Sequence, residues 1–296
     1  MPVAPAKQKK YIVLGSTGQL GHDLCPRLPG QVVGLTRADI DLTRTDAVRG
    51  MLDRLRPDAV INCAAYNYVD RAESELSAAF QVNAYAVREL ALACRDLGCT
   101  LVHFSTDYVY GLDAGRLEPY LESDRPGPVN VYGVSKLSGE FLVRANCPRH
   151  FIIRTCGLYG VWGSGGKGGN FVETMLRLAG EGKLLRVVDD QVCTPSYTVD
   201  IADAVACLVQ TEHYGLYHVT NAGSCSWYQF AGEIIGQAGM KKDITPITSE
   251  EFGAAARRPS FSVLSNMAYE TLGFTPLRPW QEALAAYLRE RRPVRS

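Results

Sequence analysis

Tyr132 and Lys136 stand four residues apart in Tyr132-Gly133-Val134-Ser135-Lys136, a spacing that sets both side chains on one face of a helix. The pair suits delivery of a hydride to a carbonyl, because the alkoxide that forms needs a proton. A free tyrosine, with a pKa of about 10, is a sluggish proton partner at neutral pH. A neighbouring ammonium favours the phenolate and would lower that pKa, and the same lysine can hold a nicotinamide ribose. Tyr-x-x-x-Lys alone recurs by accident on exposed helices. It gains force from Ser105-Thr106-Asp107 at the end of the strand read before it, which puts the Thr106 hydroxyl at the ligand-binding edge of a sheet, within reach of a reacting oxygen. Asp107 reads as a substrate hydrogen-bond acceptor or a cap on the strand end.

A second motif would hold the hydride carrier. Gly15-Ser16-Thr17-Gly18-Gln19-Leu20-Gly21 follows an apolar strand and opens a helix. There the chain must turn tightly, bring backbone N–H groups against a pyrophosphate and pack helix on strand, and glycine meets all three demands. A NAD-selective site usually carries an acidic residue after the second strand, on the ribose 2′-hydroxyl. This chain has Leu35-Thr36-Arg37. Arg37 suits a 2′-phosphate instead, the alternative being a solvated surface arginine, so the expected cofactor is NADP(H), with NAD(H) still accommodated.

These residues need a scaffold, and the first half of the chain supplies its rhythm. Apolar, β-branched runs at 11–14, 32–35, 59–63, 101–105 and 151–155 alternate with amphipathic stretches at 19–28, 45–55, 73–97 and 131–144. Strands apolar throughout are buried on both faces, so the fold class is α/β, a doubly wound parallel Rossmann sheet. After residue 157 the rhythm breaks. Residues 160–169 hold six glycines and read as a long mobile loop. Helical stretches at 171–181, 199–210, 227–238 and 280–291, with short strands at 186–188 and 217–219, follow among prolines. The expected division is a cofactor domain over 1–157, completed by parts of 184–222, and a smaller C-terminal α/β substrate-binding domain over 158–296 that closes one side of a cleft.

Composition narrows the partners. Thirty-one basic residues balance thirty-one acidic ones, so no global field holds nucleic acid or an anionic membrane. Nine cysteines, an odd number with no C-x-x-C pair, read as small buried hydrophobes in a reducing compartment. Residues 1–10 are basic without a following apolar stretch, a tail and not a signal peptide, and no apolar run approaches the ~20 residues of a membrane span. A cytoplasmic protein is expected. No His/Asp/Glu cluster has ligand spacing, so His22 and His103 are read as structural and no metal is expected. Arg257-Arg258 before Pro259 suits the oxygens of a diphosphate, or stands as a solvated pair on a loop.

The glycine loop, Asn62-Cys63-Ala64-Ala65, Ser105-Thr106-Asp107-Tyr108-Val109-Tyr110 and the Tyr132 to Lys136 motif together resemble an extended short-chain dehydrogenase/reductase. Val69-Asp70-Arg71-Ala72-Glu73, Arg154-Thr155, Asn170-Phe171, Asp190-Gln191 and Ala256-Arg257-Arg258-Pro259 narrow the resemblance to the dTDP-4-dehydrorhamnose reductases. That family reduces the 4-keto group of dTDP-4-dehydro-L-rhamnose with NAD(P)H. The resemblance implies Thr106, Tyr132 and Lys136 as a triad with Tyr132 as proton donor. It implies Gly15, Thr17, Gly18, Gln19, Leu20 and Gly21 around the pyrophosphate, Asp41 and Leu42 near the adenine, and Cys63, Ala64 and Ala65 beside the middle of the cofactor. Thr106, Asp107, Gly157, Asn170, Arg257 and Arg258 would meet a nucleotide-sugar substrate, and a homodimer is compatible.

One position departs from the family. Its members usually continue Arg-Thr with Ser-Trp, whose indole lines the sugar pocket; here the chain reads Arg154-Thr155-Cys156-Gly157, so either Trp162 in the following glycine-rich stretch substitutes or the pocket accepts a different or bulkier sugar. Two other functions share the resemblance. A nucleotide-sugar epimerase of the same superfamily retains its cofactor and shows no net consumption of NADPH. The regulatory subunit of methionine adenosyltransferase resembles the family without catalysing its reaction. A dehydratase is disfavoured, because such enzymes carry a further acid after the aspartate and this chain has Tyr108.

Overall fold

Apolar runs between amphipathic segments become the strands of one sheet in the computed structural model, which describes residues 8–162 and 169–291. In chain order the first half forms β1 (Lys10–Leu14), α1 (Gln19–Leu24), β2 (Gln31–Leu35), α2 (Thr45–Leu55), β3 (Ala59–Asn62), α3 (Val69–Ala72), α4 (Leu76–Phe80), α5 (Ala86–Leu97), β4 (Thr100–Thr106), α6 (Val131–Asn146) and β5 (His150–Thr155). The rest forms β6 (Leu158–Tyr159), α7 (Phe171–Gly180), β7 (Leu185–Val188), β8 (Val192–Cys193), β9 (Ser196–Tyr197), α8 (Thr198–Leu208), β10 (Gly215–His218), β11 (Cys225–Ser226), α9 (Trp227–Gln237), β12 (Ile244–Ile247), α10 (Ser249–Phe252), α11 (Met267–Thr271) and α12 (Trp280–Glu290).

Six strands lie in the order β10-β5-β4-β3-β1-β2, all paired in parallel. Side chains alternate across it with period two. Tyr11, Val13, Ile61, Val102, Phe104 and Ile153 pack with Leu24 of α1 and Ile201 and Val205 of α8. Ile12, Leu14, Val60, Leu101 and Ile152 face Met51 and Leu52 of α2, Leu90 of α5 and Val143 of α6. Helices therefore cover both faces, as a doubly wound sheet requires. The strand order reverses between β1 and β3, and open α/β sheets take ligands at the carboxyl edge of such a point.

The sixth strand comes from beyond the glycine-rich stretch. Elements after residue 157 also build a separate apolar core, in which Val172 and Leu176 of α7, Phe230 and Ile234 of α9, and Leu284 and Tyr287 of α12 meet. Residues 163–168 of the expected mobile loop, and the tail over 1–7, lie outside the described residues. The one helix expected over 73–97 is instead a turn after α3, then α4, a wide π-helical turn at Gln81–Tyr85, and α5. The wide turn has a use. It presents Asn83, whose amide accepts from Tyr66 N at 2.9 Å and donates to Tyr66 O at 2.8 Å and Ser135 Oγ at 3.0 Å, fastening α6 in place. Among the described residues no helix is long and apolar enough to cross a membrane.

Candidate active site

A cavity of about 600 Å³ opens at the carboxyl edge of β1, β3, β4 and β5. Its floor is the glycine loop. Gly15 takes φ of +77°, and Gly15 N and Ser16 N both donate to Leu35 O, at 2.8 and 3.1 Å, tying the loop to the end of β2. A Cβ on Gly15 would stand 3.1 Å from Ala64 N, and one on Gly21 only 2.3 Å from Gly15 O. Only glycine lets α1, the loop and the end of β3 approach this closely. Gly18 caps α1 without a side-chain acceptor, and Gly18, Gln19, Leu20 and Gly21 face the cavity with Cys63, Ala64 and Ala65. At the end of β5 the buried Thr155 Oγ1 has no hydrogen-bond partner within the protein and also lines the cavity. A glycine cradle and an orphaned hydroxyl fit a bound dinucleotide.

Thr106, Tyr132 and Lys136 line the other end together. Asn130 starts α6 by accepting from Gly133 N at 2.7 Å, which fixes the turn that carries Tyr132. Burial pushes the Tyr132 phenol up to about 12; a hydrogen bond from Thr106 pulls the other way and the Asp107 charge adds to the rise. The Lys136 ammonium does not offset this rise. Lys136, 2% exposed, donates to Phe104 O at 2.6 Å and lies 3.5 Å from His103 Nε2. Its own pKa falls to about 8 through burial, against the upward pull of Glu140 and Cys63. His103 is structural here, its Nδ1 3.2 Å from Asn62 Nδ2.

Asp107 lines the cavity from a hydrogen-bonded corner, and the cap of the turn after β4 is its neighbour Thr106. Its carboxylate accepts from Ser262 Oγ at 2.6 Å, Cys156 Sγ at 3.1 Å and Thr106 Oγ1 at 3.1 Å. Burial nevertheless raises its pKa above the usual carboxylate range. The Thr106 hydroxyl accepts in turn from Tyr108 N at 3.2 Å, so the end of β4 is held from three sides.

Other expected site residues lie elsewhere. Thr17 is exposed, and Arg37 is exposed just after β2. Asp41 accepts from Thr43 N and Oγ1 at 2.9 and 2.8 Å, and Leu42 is buried against α2. Asn170 does not enter the cavity. It caps α7 through Glu173 N at 3.0 Å and gives its amide protons to Gly160 O, Gln19 Oε1 and Tyr287 OH, at 3.0, 3.2 and 3.2 Å. Arg258 pairs two-pronged with Asp70 at 2.8 and 3.0 Å. With the exposed Arg257 it lines a second hollow of about 300 Å³, which shares Gln191 with the first. Gly157 lines the cavity at φ of +53°. Trp162 does not stand beside it, but stacks on His22 with ring centroids 4.2 Å apart.

Among the cavity residues to which the sequence reading gave no role are Tyr108, Gln191, Trp227 and Ser262. Tyr108 meets Tyr132 edge to face at 6.0 Å. It was visible in its motif, but as a place without a carboxylate. Gln191 was visible as part of a motif and without a role. Trp227 and Ser262 arrive from elements whose order in space the linear chain does not display.

The geometry agrees with the chain's likenesses. Residues 9–292 match the family model described as the RmlD substrate binding domain. A spore coat polysaccharide biosynthesis protein SpsK of Bacillus subtilis is 42% identical over 95% of this chain and 98% of its own. A dTDP-4-dehydrorhamnose reductase of Streptomyces griseus is 39% identical over 95% of this chain and 94% of its own. The crystal structure of dTDP-4-dehydrorhamnose reductase from Bacillus anthracis in complex with NADP superposes with a TM-score of 0.91 at 39% identity, covering 96% of this chain and 99% of that one.

Proposed function

Because the chain belongs to the RmlD family of dTDP-4-dehydrorhamnose reductases, we propose that it reduces the 4-keto group of dTDP-4-dehydro-L-rhamnose to give dTDP-L-rhamnose, with Tyr132 as the proton donor. It is an NAD(P)-dependent oxidoreductase that reduces a keto nucleotide sugar, with NADP(H) the preferred cofactor. The observation that carries the finer reading is the meeting of Thr106, Tyr132 and Lys136 at one end of a cavity floored by a glycine cradle.

When bound, NADP(H) supplies the hydride. Tyr132 hands its phenolic proton to the carbonyl oxygen as negative charge develops there. A phenol pushed up to about 12 is fully protonated at neutral pH, the state a reduction needs. Thr106 donates its hydroxyl proton to the same oxygen, which steadies the developing charge as the phenolic proton crosses. Lys136, at about 8, is mostly an ammonium at neutral pH. It holds the cofactor's ribose. Gly15, Gly18, Gln19, Leu20 and Gly21 take the pyrophosphate, Cys63, Ala64 and Ala65 the cofactor's middle, and Arg37 the 2′-phosphate.

The test is loss of nicotinamide absorbance when the full chain is mixed with NADPH and dTDP-4-dehydro-L-rhamnose. One NADPH should disappear per sugar reduced, and Tyr132→Phe should lower kcat by about 10²–10³ with the NADPH Kd within twofold. Interconversion of sugars at constant NADPH would instead make the chain an epimerase. A Tyr132→Phe protein with full turnover would overturn the proton-donor role.

A further inference from the structure

The cavity is lined by an indole, Trp227, beside a position with no side chain, Gly157. Gly157 follows Cys156, whose thiol touches Asp107 at 3.1 Å, and Asp107 is next to Thr106 in the chain. A Cβ on Gly157 would stand 3.5 Å from Trp227 Cη2 and 3.2 Å from Pro195 Cα. With glycine there, at φ of +53°, residue 157 sets no side chain against the rim of the indole, and both residues line the cavity.

Trp227 is also held rigidly. It is the first residue of α9, whose start is fixed by the reciprocal bonds of Ser226 and Gln229 and by Ser226 Oγ on Asp189 at 2.5 Å. Its ring packs on Phe171 at 4.8 Å and on Phe230 at 6.3 Å between centroids. An indole packed on two aromatic rings and lining the cavity presents a preorganised apolar surface at low entropic cost.

We propose that Trp227 is the specificity-determining wall of the sugar site, packing against the apolar C–H and methyl face of a 6-deoxy hexose while the carbonyl side faces Thr106 and Tyr132. The proposal rests on the nucleotide-sugar reading of this cavity and adds to it the residue that reads the sugar. Gly157 suits it, because a Cβ at 157 would already stand in contact with the indole and crowd the Pro195 backbone, at a positive φ that favours glycine. A hydroxymethyl group in place of the methyl would bring a hydroxyl to an apolar surface without a partner.

The test separates the sugar from the nucleotide. With NADP⁺ present, Kd is measured by calorimetry for dTDP, dTDP-L-rhamnose and dTDP-glucose against wild type, Trp227→Phe and Trp227→Ala. In wild type the rhamnosyl group should tighten binding over dTDP by about tenfold or more, and over dTDP-glucose by several-fold. Trp227→Ala should reduce that increment to within twofold and leave the dTDP Kd unchanged. Trp227→Phe, which keeps a ring on Phe171, should fall between. A folding defect in the alanine variant leaves the phenylalanine variant to decide. Its rhamnosyl increment should drop at least threefold, and the tryptophan emission change on adding dTDP-L-rhamnose should fall with it. Variants that keep the full increment overturn the assignment of Trp227 while the nucleotide-sugar reading stands. Wild-type protein that binds none of the three ligands overturns that reading and this proposal together.

Discussion

Arg154 grips both oxygens of Glu140, Nε and Nη2 lying 2.9 and 2.6 Å away, in an ion pair almost sealed from solvent. Ser105 Oγ donates to the same carboxylate at 2.5 Å, and Arg154 Nη1 donates to Tyr110 OH at 2.6 Å. The pair thus rivets α6, which carries Tyr132 and Lys136, to β4 and β5, which carry Thr106 and Thr155.

Removing one partner strands the other charge in the interior. Glu140→Gln should cost about 3–5 kcal/mol of stability, read as a lower urea midpoint. A double variant with both residues apolar should recover part of the loss, since a buried pair gains little net energy over well-packed hydrophobes. An unchanged midpoint in Glu140→Gln would mean that the rivet holds nothing.

His218 gives the fold a pH dependence with a definite sign. Burial, helped by the Arg154 charge, lowers its pKa from 6.5 to about 3, while its ring nitrogens bond Tyr120 O at 3.1 Å and Tyr110 OH at 3.2 Å. The unfolded chain therefore takes up the proton first as pH falls, and stability declines from pH 6.5 down toward 3. Between pH 7 and 5 this one residue should account for about 2 kcal/mol of the loss. His218→Gln, although less stable at pH 7, should show a slope shallower by that amount. Equal slopes in chemical denaturation would refute the linkage.

Much of this was legible from residue order, and the limits have physical causes. Strands apolar on both faces announce themselves, because burial on both sides leaves no polar positions. The glycine loop was legible because steric demand there admits one residue type. What escaped depends on side chains meeting across the fold. Arg258 meets Asp70 from 188 residues away, and no local pattern shows that a guanidinium suited to phosphate already has a carboxylate partner. Trp162 and Trp227 look equally eligible in the chain, yet one stacks on His22 and the other on Phe171. The fastening of Lys136 to Phe104 O was likewise invisible.

Cofactor preference should respond to Arg37. This exposed side chain follows β2, whose end is tied to the glycine loop through Leu35 O, so the backbone that carries it is anchored to the cradle. Arg37→Ala should raise the NADPH Kd about tenfold and leave NADH within twofold, since only the former brings a phosphate for a guanidinium. Fluorescence titration of the two reduced cofactors reads the ratio, and a parallel loss for both would place Arg37 outside 2′-phosphate recognition.

Two alanine substitutions separate a glycine required by contact from one that is incidental. At Gly21 a Cβ would lie 2.3 Å from Gly15 O and 3.0 Å from Ser16 Cα, both backbone atoms of a loop fastened to β2. The loop must move, so Gly21→Ala should weaken NADPH binding by about thirtyfold or more and lower Tm. At Gly50, inside α2, a Cβ meets nothing within 4 Å. There alanine restricts the unfolded chain and suits a helix, so Gly50→Ala should stabilise by about 0.5–1 kcal/mol with NADPH affinity untouched. If Gly21→Ala bound NADPH as tightly as Gly50→Ala, close packing of the loop on α1 would not be what shapes the cradle.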